Sequence, residues 1–434
     1  MTKEKIAVIG CGKLGAPLIA CFARAGHSII GIDTSSKLVE KLKINQIDWC
    51  EPGLTEALGK YRDLISFDTK YNEKFNEVTT SFVIVPTPSN ETGEYSLEFI
   101  LSAVEDIGKK LSQSIFKSHM IVIVSTVMPG DTEGRIFQKL RESAGSNIDK
   151  ISICYSPEFI ALGSVIHNLQ NPDTILIGQP DEKNGEKLQT LLLSIVLNKP
   201  KVLRMKITEA EIAKIAINSY VTSKISFSNQ ISEICEKVPG TSSVNVLDAI
   251  GSDSRIGQSY LKQGTSYGGP CFPRDNKAFA KFASSIGVFL DLAYATDAIN
   301  NRQNDRLISV LKKVAPNARN ILMVGVSYKK DTDVTEESPA LNFITKNTDY
   351  NLFIYDDNVK NTATLINVSY ASLSEVMNNS LDIDVAILFV PSSSYESIPK
   401  LLRNNVVLID FWGNWDQYRN SKDLKYLKIG EGNG

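Results

Sequence analysis

The 434-residue chain has no excess of charge of either sign: 47 Lys and Arg stand against 49 Asp and Glu, for a formal charge of −2. It carries no basic block and no basic helix face, which argues against a nucleic acid or an anionic membrane surface as partner. Long hydrophobic runs are also missing. No apolar stretch reaches the roughly 18 residues of a membrane span, and the opening "MTKEKIAVIG" has no leader-like apolar region. The expectation is a soluble, cytoplasmic protein. Cysteines are few and unpaired in spacing: Cys11, Cys21, Cys50, Cys154, Cys235 and Cys271 read as free thiols rather than a disulfide framework. The three histidines, His27, His119 and His167, are isolated, and no CxxC or HxxxH spacing occurs, so no metal site is expected.

What is present is an alternation. "KIAVIG", "SIIGID", "SFVIVPTP", "MIVIVSTV" and "TILIG" read as buried parallel strands, with helical patterns such as "APLIACFARAG" and "LEFILSAVEDIGKKL" between them. From Ile207, "ITEAEIAKIAINSYVTSKISFSNQISEICEKV" keeps helical spacing without Gly or Pro until Pro239-Gly240. A helix of that length usually spans domains or lies at a subunit interface. After about residue 301 the alternation returns in "RNILMVGVSYK", "NLFIYDD", "DVAILFVP" and "VVLID", and "DVAILFVP" echoes "SFVIVPTP". The Gly- and Asn-rich tail after Leu427 is expected to fray. The pattern predicts an α/β protein of two Rossmann-like, doubly wound domains joined by a long central helix and helical segment. The expected bounds are 1–200, 201–300 and 301–434.

Gly10, Gly12 and Gly15 in "VIGCGKLGAPL" have G-x-G-x-x-G spacing, with Lys13 and Leu14 inside it. The motif follows a strand and opens a helix, and Asp33 ends the next strand, 18 residues after Gly15. That is the dinucleotide fingerprint in its required context. Gly10 permits the turn, Gly12 lets the backbone approach a pyrophosphate, and Gly15 lets helix pack on strand. Asp33 can accept from a ribose 2′-OH and would repel a 2′-phosphate, so NAD is favoured over NADP. Thr87 of "VPTP" and Thr126 of "STVMPG" sit at strand ends where they could present hydroxyls to the cofactor or simply close a turn.

The stretch "SYGGPCFPRDNKAF" sets one cysteine, Cys271, among glycines and prolines. Glycines admit a ligand closely and prolines stiffen the loop. A helix starting near Pro273 would bring its positive end to the sulfur and favour the nucleophilic thiolate. The alternative is a packed cysteine in a rigid loop. Lys214 and Asn218, four residues apart, share a helix face and could donate to an oxyanion or be merely solvated. Glu158 in "YSPEF" could be a general base or a first-turn acid of the next helix.

Together these segments resemble the UDP-glucose/GDP-mannose dehydrogenase family, the nucleotide-sugar 6-dehydrogenases. The resemblance rests on the fingerprint, "VPTP", "STVMPG", "SPEF", "AEIAKIAINSY", "DSRIGQSYLKQGTSYGGPCFPRDN" and "GVSYKKDTDVTEESPA", and it covers nearly the whole chain. It implies oxidation of C6 of a nucleotide-linked hexose to a carboxylate with two NAD⁺. Cys271 would form the thiohemiacetal and thioester, Lys214 and Asn218 would stabilise oxyanions, and Asp275 would hold Lys214 or a water. Thr126 would lie near the reacting centre, and Glu158 would activate the hydrolytic water. The implied substrate contacts are Glu158, Phe159, Ile160, Leu162, Lys214, Asn218, Tyr260, Lys262, Tyr267 and Gly268. Lys329 would meet the pyrophosphate. Arg255 would serve the neighbouring subunit's site, implying a homodimer or higher oligomer.

The chain also departs from the family. Leu162 stands where many members have a second glutamate. Phe159 replaces an arginine common in members that take N-acetylated sugars. Glu336 replaces the arginine of the family's "RES", and "LIDFWGNWD" lacks an arginine some members carry, leaving Trp412 and Asn414 there. UDP-glucose is therefore the first candidate substrate and GDP-mannose the second. A two-electron hydroxyacid dehydrogenase would need neither the cysteine nor the second α/β domain. A non-catalytic binding protein is supported only by Leu162 and Glu336.

Overall fold

The structure, a computed structural model, describes residues 3–49, 51–90, 93–160, 162–347, 349–359, 368–377 and 381–432. The chain divides into two compact units, Met1–Ala216 and Ile217–Gly434.

The first unit is built on an eight-stranded sheet. Its strands are β1 (Lys5–Ile9), β2 (Ser28–Ile32), β3 (Ile65–Asp68), β4 (Thr80–Val83), β5 (His119–Ile123), β6 (Ile151–Tyr155), β7 (Thr174–Gly178) and β8 (Lys201–Met205). They lie in the order β3-β2-β1-β4-β5-β6-β7-β8. The first six strands give the doubly wound order with its chain reversal between β1 and β4. Both faces are covered, so the central strands are buried and largely apolar: Ile6, Val8, Phe82 and Val122 point into one core cluster, and Ala7, Ile9, Val83 and Ile121 into the other.

One expectation fails here. "TILIG" forms β7, but β7 runs antiparallel to β6, pairing Tyr155 with Gly178, and is parallel only to β8. The helix between them, Val165–Gln170, has six residues. The chain re-enters the sheet from the end it left.

The second unit carries a six-stranded, wholly parallel sheet. Its strands are β9 (Asn320–Val324), β10 (Asn351–Tyr355), β11 (Val368–Tyr370), β12 (Val385–Leu388), β13 (Val407–Asp410) and β14 (Lys425–Lys428). Their order, β11-β10-β9-β12-β13-β14, repeats the doubly wound arrangement. The echo between "SFVIVPTP" and "DVAILFVP" has a topological basis: β4 pairs with β1 and β12 with β9, each across its sheet's reversal point.

The long helix runs from Ile207 to Lys237, as its spacing predicts, and the division between units falls within it. The tail does not fray as expected, as far as Gly432. Ile429 is buried, Gly430 N–H donates to Glu236 Oε1 at 2.9 Å, and Ser243 N–H donates to Gly430 O at 2.9 Å. Further on, Gly240 N–H donates to Gly432 O and Gly432 N–H to Thr241 O, both at 2.9 Å. Glycine serves the docking here. A Cβ on Gly432 would lie 1.8 Å from Val238 O, so a residue type that suggests disorder is here one of close approach.

Candidate active site

In the first unit, the fingerprint turn is built as its spacing demands. Gly10 has φ +94°, and a Cβ there would meet Ile84 O at 2.6 Å; a Cβ on Gly15 would meet Gly10 O at 1.8 Å. Around Gly12 nothing lies within 4 Å of where a Cβ would stand. The helix Gly15–Arg24 begins without a side-chain cap, with Leu14 at its N-cap. Lys13 and Leu14 are half-buried. Asp33 Oδ2 accepts from Cys11 N–H at 2.8 Å, and its Oδ1 from Ser35 N–H at 2.9 Å, so the carboxylate fixes the turn while staying half-exposed. An open cradle before a helix N-terminus, with a carboxylate at the next strand end, fits a dinucleotide.

Thr87 is buried, and its hydroxyl donates to Thr126 O at 2.9 Å, tying together the loops after β4 and β5. Thr126 itself is half-exposed. Sequence reading missed the group beneath that second loop. Glu211, fully buried on the long helix, accepts from Gly130 N–H at 2.6 Å and Thr132 N–H at 2.9 Å. Burial raises its pKa. A glutamate one turn before Lys214 gives no sequence signal of this role.

Lys214 is buried to 8% exposure, donates to Glu158 O at 2.6 Å, and lies 4.6 Å from the centre of the Phe159 ring. The carbonyl and the ring face both suit an ammonium. Glu158 lines a small pocket with Leu176, Leu192 and Ile195. Burial pushes its pKa up to about 7, with the Lys214 charge pulling the other way. That value suits a general base near neutral pH. Ile160 and Leu162 pack on the core as half-buried side chains.

In the second unit, Cys271 is the N-cap of the helix Phe272–Ser285, with Pro273 in its first turn. Among the described cysteines it alone is exposed: Cys11, Cys21, Cys154 and Cys235 are buried, and Cys50 lies outside the described residues. Burial raises the Cys11, Cys21 and Cys154 thiols, the last two to about 12. Asp275 is fully buried. Its Oδ2 accepts from Asn218 Nδ2 at 2.7 Å, and its Oδ1 from Arg274 Nε at 2.9 Å. Arg274 was not singled out from sequence, although it adjoins Asp275 and offsets a buried charge.

The bare glycines are explained by two close approaches. A Cβ on Gly268 would stand 2.1 Å from Glu337 O, and one on Gly269 2.5 Å from the Tyr328 ring. Gly269 N–H also donates to Glu336 O at 3.0 Å, so Glu336 acts here through its backbone. Burial, then the nearby Cys271 and Tyr260, raise the Tyr328 phenol above its usual range. Lys329 lies 5.9 Å from the Tyr328 ring centre. Tyr260 is exposed, with φ +60°, and meets Phe272 edge-on. Lys262 is exposed, whereas Tyr267 is buried and spends its hydroxyl on Asp297. Arg255 is exposed and paired with Asp253. Trp412 donates from Nε1 to Phe389 O at 3.1 Å, and its ring would meet a Cβ on Gly264 at 2.4 Å; Asn414 donates to Ser392 O at 2.9 Å. Among the described residues no group of three or more His, Cys, Asp or Glu could hold a metal, and no helix is long and apolar enough to cross a membrane.

Models of the UDP-glucose/GDP-mannose dehydrogenase family match along the chain: its NAD binding domain at residues 4–196, its central domain at 208–302 and its UDP binding domain at 322–427. A UDP-glucose 6-dehydrogenase of Haloferax volcanii is 32% identical over 342 residues, 78% of this chain and 79% of that one. A GDP-mannose 6-dehydrogenase of Pseudomonas putida is 29% identical over 364 residues, 82% and 81% of the two chains. The solved UDP-glucose dehydrogenase of Pyrobaculum islandicum superposes with a TM-score of 0.89 at 26% identity, covering 99% of this chain and 98% of that one.

Proposed function

The chain belongs to the UDP-glucose/GDP-mannose dehydrogenase family, and from that premise we propose that it oxidises C6 of a UDP-linked hexose, UDP-glucose first, to the uronic acid. It is an NAD-dependent oxidoreductase of nucleotide sugars, and NAD is its cofactor. The observation that carries the reading is Cys271, an exposed thiol at a helix N-terminus on a loop stripped to glycine.

Gly10, Gly12, Lys13, Leu14, Gly15 and Asp33 hold the cofactor, with Thr87 and Thr126 beside it. When bound there, NAD⁺ would supply the hydride acceptor for each of two stages. In the first, the C6 hydroxyl gives its proton to solvent water and C6 gives up its hydride, while Lys214 and Asn218 stabilise the oxygen. In the second, the Cys271 thiolate adds to the aldehyde carbon. A C–S bond forms, the carbonyl π pair moves to oxygen, and the same two donors hold that charge. Loss of the remaining C6 hydride from this thiohemiacetal leaves a thioester. Glu158 then takes a proton from water, the water oxygen bonds to C6, and the C–S bond breaks to return the thiolate. Four electrons leave the sugar, and one water is consumed. Asp275 orients Asn218, Lys329 meets the pyrophosphate, and Tyr260 and the Lys262–Gly268 loop enclose the nucleotide sugar.

Support for UDP-glucose is the Haloferax relative and Phe159 after Pro157-Glu158. GDP-mannose is the second reading, favoured by the Pseudomonas relative and by Trp412 in place of an arginine. Support for a homodimer is a bare apolar stripe at heptad spacing on the long helix: Ile217, Tyr220, Phe227 and Ile234 are 44, 63, 44 and 58% exposed. Arg255 is then the residue lent to the neighbouring site. Sedimentation should give twice the mass of one chain, and a stable monomer would remove that part of the reading. The function is tested by NADH formation against UDP-glucose, UDP-galactose, two UDP-N-acetylhexosamines and GDP-mannose. About two NADH per sugar with one of them is expected. NAD binding without turnover on any would favour the non-catalytic reading.

A further inference from the structure

We propose that Asp297 is a positioning residue for the nucleophile, its carboxylate tying together the two chain segments that flank Cys271. The proposal rests on the reading of Cys271 as the nucleophile of the second oxidation. Tyr267, four residues before the cysteine, donates its hydroxyl to Asp297 Oδ1 at 2.6 Å. Asn276, five residues after it, donates Nδ2 to the same oxygen at 2.9 Å. One carboxylate oxygen thus spans the bow in which the thiol sits.

Both ends of the bow are held again from behind. Asn300, one turn along the helix Asp291–Val314 from Asp297, brackets the Tyr267 backbone. It accepts from Tyr267 N–H at 2.8 Å and donates to Tyr267 O at 3.0 Å. Asn276 also donates to Ala293 O at 3.0 Å and accepts from Ser219 Oγ at 2.7 Å. Tyr267 and Asn276 are 6% and 0% exposed, so water does not compete for these bonds.

The need for such a strut follows from the loop's composition. Gly268 and Gly269 have no side chains to anchor the segment, and glycine is the residue with the most freedom to lose. Cys271 itself is exposed. The segments on either side of it help set its position, and Tyr267 on one side and Asn276 on the other converge on Asp297. Burial, then the bond to Asp297, raise the Tyr267 phenol, so its hydroxyl stays a donor. This network is separate from the bonds of Asn218 and Arg274 to Asp275. Adjacent residues of the long helix, Asn218 and Ser219, engage adjacent residues of the cysteine helix, Asp275 and Asn276, and only the second pair leads to Asp297.

The test compares Asp297→Ala, which removes the shared acceptor, with Asp297→Asn, which can keep an oxygen at the Oδ1 position. Two quantities are read: alkylation of the Cys271 peptide by iodoacetamide in the ligand-free protein, and NADH formed per nucleotide sugar consumed. Asp297→Ala should change the alkylation rate about tenfold or more, since misplacement by an ångström can cost about 100-fold in a reacting geometry. It should also release aldehyde, so that NADH per sugar falls from about two toward one while the first oxidation survives. Asp297→Asn should restore both. A folded Asp297→Ala protein with unchanged alkylation and stoichiometry overturns the proposal, and so does equal loss of both oxidations. If Asp297→Ala does not fold, Tyr267→Phe decides: a partial fall in stoichiometry supports the strut, and wild-type behaviour overturns it. A wild-type protein that never forms the second NADH would instead count against Cys271 as nucleophile, while the alkylation rates would still judge the strut.

Discussion

The turns that follow the first strand of each sheet use one device in two ways. After β1, Gly10 at φ +94° donates to Ile32 O at 2.8 Å, and the next N–H, of Cys11, donates to Asp33 at 2.8 Å. After β9, Gly325 at φ +76° donates to Tyr355 O at 2.9 Å, and Val326 N–H donates to Asp356 at 2.7 Å. The aspartate directly follows the second strand in both sheets. Beyond this point they diverge. In the first, the helix starts at Gly15 and leaves Gly12 uncovered. In the second, Ser338 caps a helix that starts only at Pro339, and the intervening loop closes on Gly268 and Gly269 of the cysteine segment. A shared scaffold turn thus becomes an open cradle before a helix in one sheet and a buttress for the cysteine loop in the other. The chemistry lies in the residues that follow the turn.

Substitutions can break this pairing apart. The largest effect should come from Gly268→Ala, whose methyl would collide with Glu337 O. Displacing the loop by an ångström should slow the second oxidation about 100-fold and leave NAD⁺ affinity alone, as single-turnover kinetics and cofactor titration would show. Gly12→Ala should do the reverse. Its methyl meets no protein atom, so the unfolding temperature should hold. NAD⁺ affinity should drop about tenfold, the overpacking cost expected where a pyrophosphate must approach the backbone.

The two aspartates give a finer contrast. Asp33→Asn and Asp356→Asn should each cost about 1–3 kcal/mol of stability, because each carboxylate holds a backbone N–H. Only Asp33→Asn should raise the KM for NAD⁺; an equal rise from both would erase the distinction between cradle and buttress. The smallest effect concerns Glu158. Its pKa of about 7 means the carboxylate, the form able to take a proton from water, is lost as pH falls through that value. Uronic acid release should decline along that limb, about twofold by pH 7, and the limb should be absent in Glu158→Gln.

Much of this architecture is legible in the residues. Central strands such as β1, β9 and β12 are covered on both faces and read as apolar runs. The half-buried edge strands β3, β8, β11 and β14, with sequences "ISFD", "KVLRM", "VSY" and "KYLK", give no such signal and were missed. Direction is another loss: nothing in "TILIG" says that a short helix will turn it against β6. In the site, Gly10, Gly12, Gly15, Asp33 and Cys271 are legible because backbone geometry or chemistry restricts their type. Glu211, Arg274 and Asp297 are not. Glu211 and Asp297 act through tertiary hydrogen bonds across long sequence separations, and Arg274 through a neighbour whose burial the sequence does not mark; a glutamate or aspartate on a helix looks the same whether it is solvated or clamps a loop.

The most direct test of the central claim is the number of NADH formed per nucleotide sugar, for the wild type and for Cys271→Ser, with NAD⁺ in excess. The account predicts about two for the wild type, and for the variant at most one, with aldehyde or a slowly released oxygen ester in place of the free acid. A Cys271→Ser protein that still gives two NADH and free uronic acid at the wild-type rate would contradict it.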